Sequence, residues 1–446
     1  MTSDSRDPGA AVAPSSELAP DGWALLPDPE PAEVRYTVIS VDDHLVEPPH
    51  LFEGRVASRF ADRAPFVRTT SKGHQIWVFD GQAYPQVGLN AVAGRSKDAP
   101  PMEPVRFDQM RPGCWDPDAR VADMDLGGIW ASANFPSQIT GFCGSVYSQA
   151  TDPDLGLACV RAFNDWFFEE WFTPNPERFI PVGITFLADP QLAAAEIRRN
   201  AERGFTAVSL PEQPQKLGYP SLHSGWWDPV VQACVDTDTV ACLHVGSSGI
   251  ATEDMPVDGP VVEFTATLFS SLSMHAATDW LWSGLPLRHP TLKICLSEGG
   301  IGWVPMLADR LDYIHDVSGH GRRAWPSTDV TPTEVLLRNF WFCSIDDPSI
   351  WPIRERIGVD HIMVEVDYPH ADSTWPDTQD FLAARLADLS VDEAAAVTHR
   401  NAARLFRHPL PAQTLPAQAL PAQHLSSQPE PDHTTPGSTD HEDIEP

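Results

Sequence analysis

Four side chains, far apart in the chain, share one context: each follows an apolar run and opens a turn. Asp42 and His44 follow residues 36–41, His244 follows 240–243, and Asp367 ends the run that starts at His361, just before Tyr368-Pro369-His370. A fifth, Glu298, follows 292–296 and precedes Gly299-Gly300. A carboxylate where a buried strand meets its loop has to be paired, hydrogen-bonded or bound to a metal. Two histidines and two carboxylates suit Zn2+, Mn2+ or Fe2+, and such an ion can acidify a water or polarise a carbonyl or carboxylate. Singly, each residue has a plainer use. His244 could be a hydrogen-bonded core imidazole, Asp42 or Asp43 a turn cap, and Glu298 an acid held by the N–H groups of Gly299-Gly300. What favours a common ion is that all of them fall at the same end of their runs.

The elements that must position them can be read from periodicity. Apolar runs at 36–41, 129–135, 179–184, 207–210, 240–243, 292–296, 340–343 and 361–367 read as strands, and most are followed by amphipathic stretches. Helices are expected at 120–126, 154–172 (with Asp152 or Asp154 as N-cap), 190–203, from 227 onward, and at 270–283, 303–316, 375–387 and 391–406. Eight strands alternating with helices predict an α/β fold, a (β/α)8 TIM barrel, whose reactive groups come from the C-terminal ends of its strands. An open doubly wound sheet is the alternative, but no Gly-x-Gly-x-x-Gly follows the first strand. A long insertion, residues 48–118, follows the first strand. It contains a hairpin at 75–84 with Asp80-Gly81 as its turn.

Residues 1–33 are rich in Pro, Ala and Asp without apolar period and are expected to be a disordered lead-in, so the barrel domain is placed at 34–408. Residues 409–446 read as a disordered tail that opens with Pro411-Ala412-Gln413-Thr414-Leu415 and two near copies of it. The net charge of −32 argues against nucleic acid and anionic membrane as partners, and no run is long enough to span a bilayer. The seven cysteines are scattered without a Cys-x-x-Cys pair and read as small core residues of a cytoplasmic protein.

The motifs at 39–48, 243–246, 289–300 and 366–370 together resemble the amidohydrolase-related branch of the amidohydrolase superfamily, which includes aminocarboxymuconate-semialdehyde decarboxylase and γ-resorcylate decarboxylase. The resemblance implies a barrel, one divalent metal (zinc first, manganese or iron as alternatives) and a homodimer. It places metal ligands on Asp42, His44, His244 and Asp367. Two departures stand out: Asp-x-His opens the first motif where His-x-His or Glu-x-His is common, and Glu298 stands where many members carry a His. The expected function is metal-dependent decarboxylation of a small carboxylated substrate, with His244, Glu298 and Asp367 as the catalytic groups. The alternatives are hydrolysis of an amide, lactone or ester, or a non-catalytic ligand-binding barrel. His275 and His370 are expected to meet the substrate, and Arg95 and Lys97 of the insertion could meet its carboxylate.

Overall fold

The computed structural model describes residues 24–96, 103–249, 259–317 and 319–415. Lys97 and most of the two terminal segments lie outside the described residues.

Eight parallel strands form one sheet in chain order: β1 (Ile39–His44), β5 (Ala131–Phe135), β6 (Phe179–Gly183), β7 (Ala207–Leu210), β8 (Val240–His244), β9 (Ile294–Ser297), β10 (Phe340–Ser344) and β11 (Ile362–Val364). The last meets the first through main-chain bonds: Asp367 N–H donates to the Asp42 carbonyl (2.9 Å) and His44 N–H to the Tyr368 carbonyl (2.6 Å). The expected (β/α)8 barrel is therefore the observed fold, with helices outside the ring. β2 (Phe66–Thr69), β3 (Gln75–Phe79) and β4 (Gln82–Tyr84) make a separate antiparallel sheet in the insertion. Its Asp80-Gly81 turn has φ of 48° and 79°, the doubly left-handed geometry of a type I′ hairpin. β2 was not apparent from sequence, because its residues are mostly exposed and lack alternation.

The barrel interior is filled by alternate residues of each strand. Ile39 and Val41, Ala131 and Ala133, Ile180 and Val182, Val240 and Cys242, Cys295, Cys343 and Met363 form one buried cluster, and Ala402, Leu405 and Phe406 belong to it. Residues of the other parity, such as Val38, Leu243 and Phe342, pack in the larger cluster shared with the helices. All seven cysteines are buried and unbridged, as their apolar neighbours suggest.

The helices follow the expected boundaries closely. Asp152 and Asp189 cap Pro153–Trp166 and Pro190–Glu202 by accepting from main-chain N–H groups of their first turns. Two expected helices are interrupted by wider π turns, at Phe167–Phe172 and Ala396–Arg400. Helices Gly141–Ser148 and Pro332–Asn339 were not foreseen, the first because its Gly and Ser content gives no apolar face. Within the expected lead-in, Leu26 N–H donates to the Gly94 carbonyl (2.7 Å) and Ala32 N–H to Leu126 (2.8 Å). Within the expected tail, residues 409–415 also lie against the barrel. Among the described residues no helix is long and apolar enough to cross a membrane.

Candidate metal centre

Strand alternation alone would aim the first strand wrongly. Ile39 and Val41 face the interior, so an unbroken strand would turn Asp43 inward and Asp42 and His44 outward. A one-residue bulge reverses this: Ser40 pairs with Ser132, but Asp43 pairs with Asn134 and His44 with Phe135. Asp42 and His44 then point into the barrel mouth and Asp43 points out. Non-local contacts hold the bulge. Ser40 Oγ accepts from Val366 N–H (2.8 Å) and donates to Asp43 Oδ1 (2.8 Å), which also accepts from Tyr368 N–H (3.2 Å). Behind them the fully buried Arg120 donates to the Gly113 carbonyl (2.7 Å) and to the His44 carbonyl, and stacks 4.3 Å from the Tyr368 ring. Burial pushes the Asp43 carboxyl up to about 6, against the pull of Arg120.

The other strands need no such correction. His244 continues the inward series Val240, Cys242; Asp367 continues Met363, Glu365. Asp367 and Glu298 both sit at positive φ (58° and 57°), a left-handed backbone that non-glycine residues seldom adopt and that turns each side chain as its strand ends. Gly299 is required where it stands, because a Cβ there would lie 2.1 Å from Ser273 Oγ on the preceding helix, Phe269–Trp282.

These elements bring four predicted ligands together. His244 Nε2 lies 2.9 Å from His44 Nε2 and 3.5 Å from Asp42 Oδ1. His44 Nε2 lies 3.6 Å from Asp42 Oδ1 and 3.4 Å from Asp367 Oδ1. Two overlapping groups, Asp42–His44–His244 and His44–Asp367–His370, each have ligand atoms within 4.8 Å of one another. His244 Nδ1 meets the Val245 carbonyl at 2.6 Å, which fixes its proton on Nδ1 and leaves the Nε2 lone pair facing the centre. All four side chains are essentially sealed from solvent.

The donor set fits a divalent cation. Neither carboxylate oxygen of Asp42 has a hydrogen-bond donor, although both are buried, and Asp367 Oδ1 has no conventional one. An uncompensated buried carboxylate is costly. Burial first, then the charges of Glu365, Asp367 and Glu298, holds the Asp42 carboxyl well above the usual range. Burial likewise pushes Asp367 and Glu298 up, and it drives His44 down and His244 down to about 3. Metal-free, the cluster resists both carboxylate charge and imidazolium; a cation among these oxygen and Nε2 atoms removes both conflicts.

Around the four, His370 stacks on His44 (ring centres 4.0 Å apart) and hydrogen-bonds through Nδ1 to Asp367 Oδ2 (3.1 Å). Glu298 Oε2 lies 3.3 Å from His244 Nε2, and Glu298 groups with Asp367 and the exposed Asp372. Its main-chain N–H donates to Glu365 Oε2 (3.1 Å). Burial raises Glu365 to about 8. The sequence marks Glu365 by its place two residues before Asp367 on one strand face. Phe142, at φ 62°, stacks 4.9 Å from His244, and nothing local in the sequence announces it. His275 is exposed on Phe269–Trp282, on the side opposite Ser273, Ala277 and Trp280, and does not join the cluster. A cleft of about 490 Å3 has His370 in its wall with Arg95, Arg111, Trp375 and the N-terminal stretch Leu26–Pro29.

The cluster sits at the C-terminal face of a parallel barrel, the end where such folds carry their reactive groups. The chain belongs to the amidohydrolase family, whose sequence model matches residues 41–408. Among solved structures it is similar to an amidohydrolase from Mycobacterium avium subsp. paratuberculosis (23% identity, TM-score 0.68, covering 84% of this chain and 100% of that one). It is also similar to 5-carboxyvanillate decarboxylase from Novosphingobium aromaticivorans complexed with manganese (20%, 0.60, 85% and 99%). A third is 2,6-dihydroxybenzoate decarboxylase from Rhizobium (17%, 0.55, 83% and 99%).

Proposed function

We propose that this protein is a metal-dependent carboxy-lyase that decarboxylates a small aromatic or unsaturated acid. The observation that carries the reading is the buried, donorless carboxylate of Asp42 facing two imidazole Nε2 atoms, beside a cleft walled by arginines. Asp42, His44, His244 and Asp367 would hold one divalent ion, manganese or zinc. When bound, that ion supplies a Lewis acid that orients and polarises substrate oxygens.

The residues supply the rest. The Val245 carbonyl keeps the His244 lone pair turned inward, and Asp367 orients His370 through Nδ1. Arg95 and Arg111 line the cleft where the substrate body and its negative charge would lie. In decarboxylation the bond between the ring carbon and the carboxylate breaks, CO2 leaves, and that carbon must receive a proton. Glu298 reaches the centre from a partly buried position that favours its protonated form, so it is assigned as the donor, with Asp367 as the alternative. The decarboxylases among the similar structures support this choice of substrate class.

The test is product analysis of metal-loaded protein on a panel of hydroxybenzoates, lactones and amides. Release of CO2 with formation of the decarboxylated ring supports the lyase. New acid from a lactone or amide, without CO2, replaces it with a hydrolase of the same centre.

A further inference from the structure

At the opposite end of the barrel, beside the N-terminal ends of β1 and β5, a groove of about 310 Å3 is walled by Tyr36, Thr37, Ile129, Trp130 and Arg178 and closed by Pro411, Gln413 and Leu415 of the tail. The tail is held there by its main chain. Thr37 N–H donates to the Leu415 carbonyl (3.0 Å), Leu415 N–H donates to Thr37 Oγ1 (2.9 Å), and Trp130 Nε1–H donates to the Pro409 carbonyl (3.2 Å). The residues that line the groove are the first, third and fifth of the unit Pro-Ala-Gln-Thr-Leu. The chain continues directly into Pro416-Ala417-Gln418-Ala419-Leu420 and Pro421-Ala422-Gln423-His424-Leu425. Pro, Gln and Leu recur at those three positions, and the only residue that varies is the fourth, which does not line the groove.

We propose that this groove is a docking site for a Pro-Ala-Gln-x-Leu segment, and that residues 416–420 are an interchangeable occupant for 411–415. A slip of five residues would present Leu420 N–H and C=O to Thr37 and the Thr414 carbonyl to Trp130, because among the described residues each hydrogen bond to the tail uses its main-chain atoms. The same three side chains return to the same places. The tail is thus a tandem array of one docking motif in which one copy is bound at a time. The groove lies at the end of the barrel away from Asp42, His44, His244 and Asp367, so exchanging copies leaves the metal centre untouched.

The test compares two deletions in the otherwise full chain, read by hydrogen exchange at the Thr37 amide and by size-exclusion chromatography. Deleting 411–415 joins Leu410 to Pro416 and restores the register, so Thr37 exchange stays within about twofold of wild type. Deleting 411–425 removes every copy, and exchange accelerates at least tenfold. A synthetic acetyl-Leu-Pro-Ala-Gln-Ala-Leu-amide peptide added to the second variant restores protection, whereas the same peptide with Asp at its last position does not. Equal loss of protection in both deletions overturns the interchange. Unchanged protection in the longer deletion overturns docking itself. Protection that depends on protein concentration and vanishes with a tail-dependent dimer makes a second chain's tail the occupant and overturns the assignment within one chain.

Discussion

Replacing Asp42 by Asn separates stability from metal binding with opposite signs. In the metal-free protein Asp42 is fully buried, neither oxygen has a donor, and four neighbouring acids (Glu365, Asp367, Glu298 and Asp43) raise its carboxyl. Because the folded-state pKa lies above the unfolded one, the group favours folding only at pH low enough to protonate both states. It costs stability as pH rises from the ordinary Asp range, about 1.4 kcal/mol for each unit of the interval. An Asn there carries no charge to desolvate, so at pH 7 metal-free D42N should be more stable than metal-free wild type. The gain should be at most about 4 kcal/mol, roughly 1.4 for each of the about three units between the ordinary Asp range and pH 7. With Mn2+ at about a hundred times its dissociation constant, wild type should gain about 2.7 kcal/mol, while D42N loses an anionic ligand and should gain almost nothing. Urea denaturation with EDTA and with Mn2+ measures all four states. If metal-free D42N is destabilised, or if it keeps the full metal-dependent increment, the placement of Asp42 as an uncompensated ligand is wrong.

Three further outcomes follow from other parts of the site. Glu298→Gln should retain wild-type metal content while losing about a hundredfold or more in kcat, the ordinary contribution of one general acid, as measured by CO2 release. Arg120→Met leaves Asp43 buried without its cation behind the first-strand bulge and should cost about 3–5 kcal/mol; adding Asp43→Asn should recover much of that, which a double-mutant cycle by denaturation would show. Glu47 accepts from Ser137 N–H and Oγ–H, yet burial raises its carboxyl to about 7, so its contribution is intact below about pH 4 and is lost as pH rises through 7. Glu47→Gln should therefore flatten the fall in metal-free stability between about pH 4 and 7.

The residues differ in how far sequence exposed their roles. His244 and Asp367 were legible because simple alternation from Val240 and Met363 already turns them inward. Asp42 and His44 are aimed by a bulge set by Val366, Tyr368 and Arg120, and contacts across 76 to 326 positions leave no local signature. The Asp80-Gly81 turn was readable because its geometry is fixed by two adjacent residues. Phe142 was not, since its position depends on a left-handed kink in a Gly-rich helix that has no apolar period. For His275, closeness in sequence to the fifth barrel strand does not determine which way its helix face points. The tail's first repeat carries too little apolar surface to look folded, and it is held by main-chain bonds to Thr37 that composition does not reveal.

The central claim is that Asp42, His44, His244 and Asp367 close around one cation. Titrating EDTA-treated protein with Mn2+ and with Zn2+, and counting bound metal by elemental analysis after desalting, addresses it directly. Wild type should retain one equivalent of metal, and His244→Ala and Asp367→Asn should each retain almost none while keeping the barrel's circular dichroism. A wild-type protein that holds no metal, or variants that hold it as well as wild type does, would contradict the account.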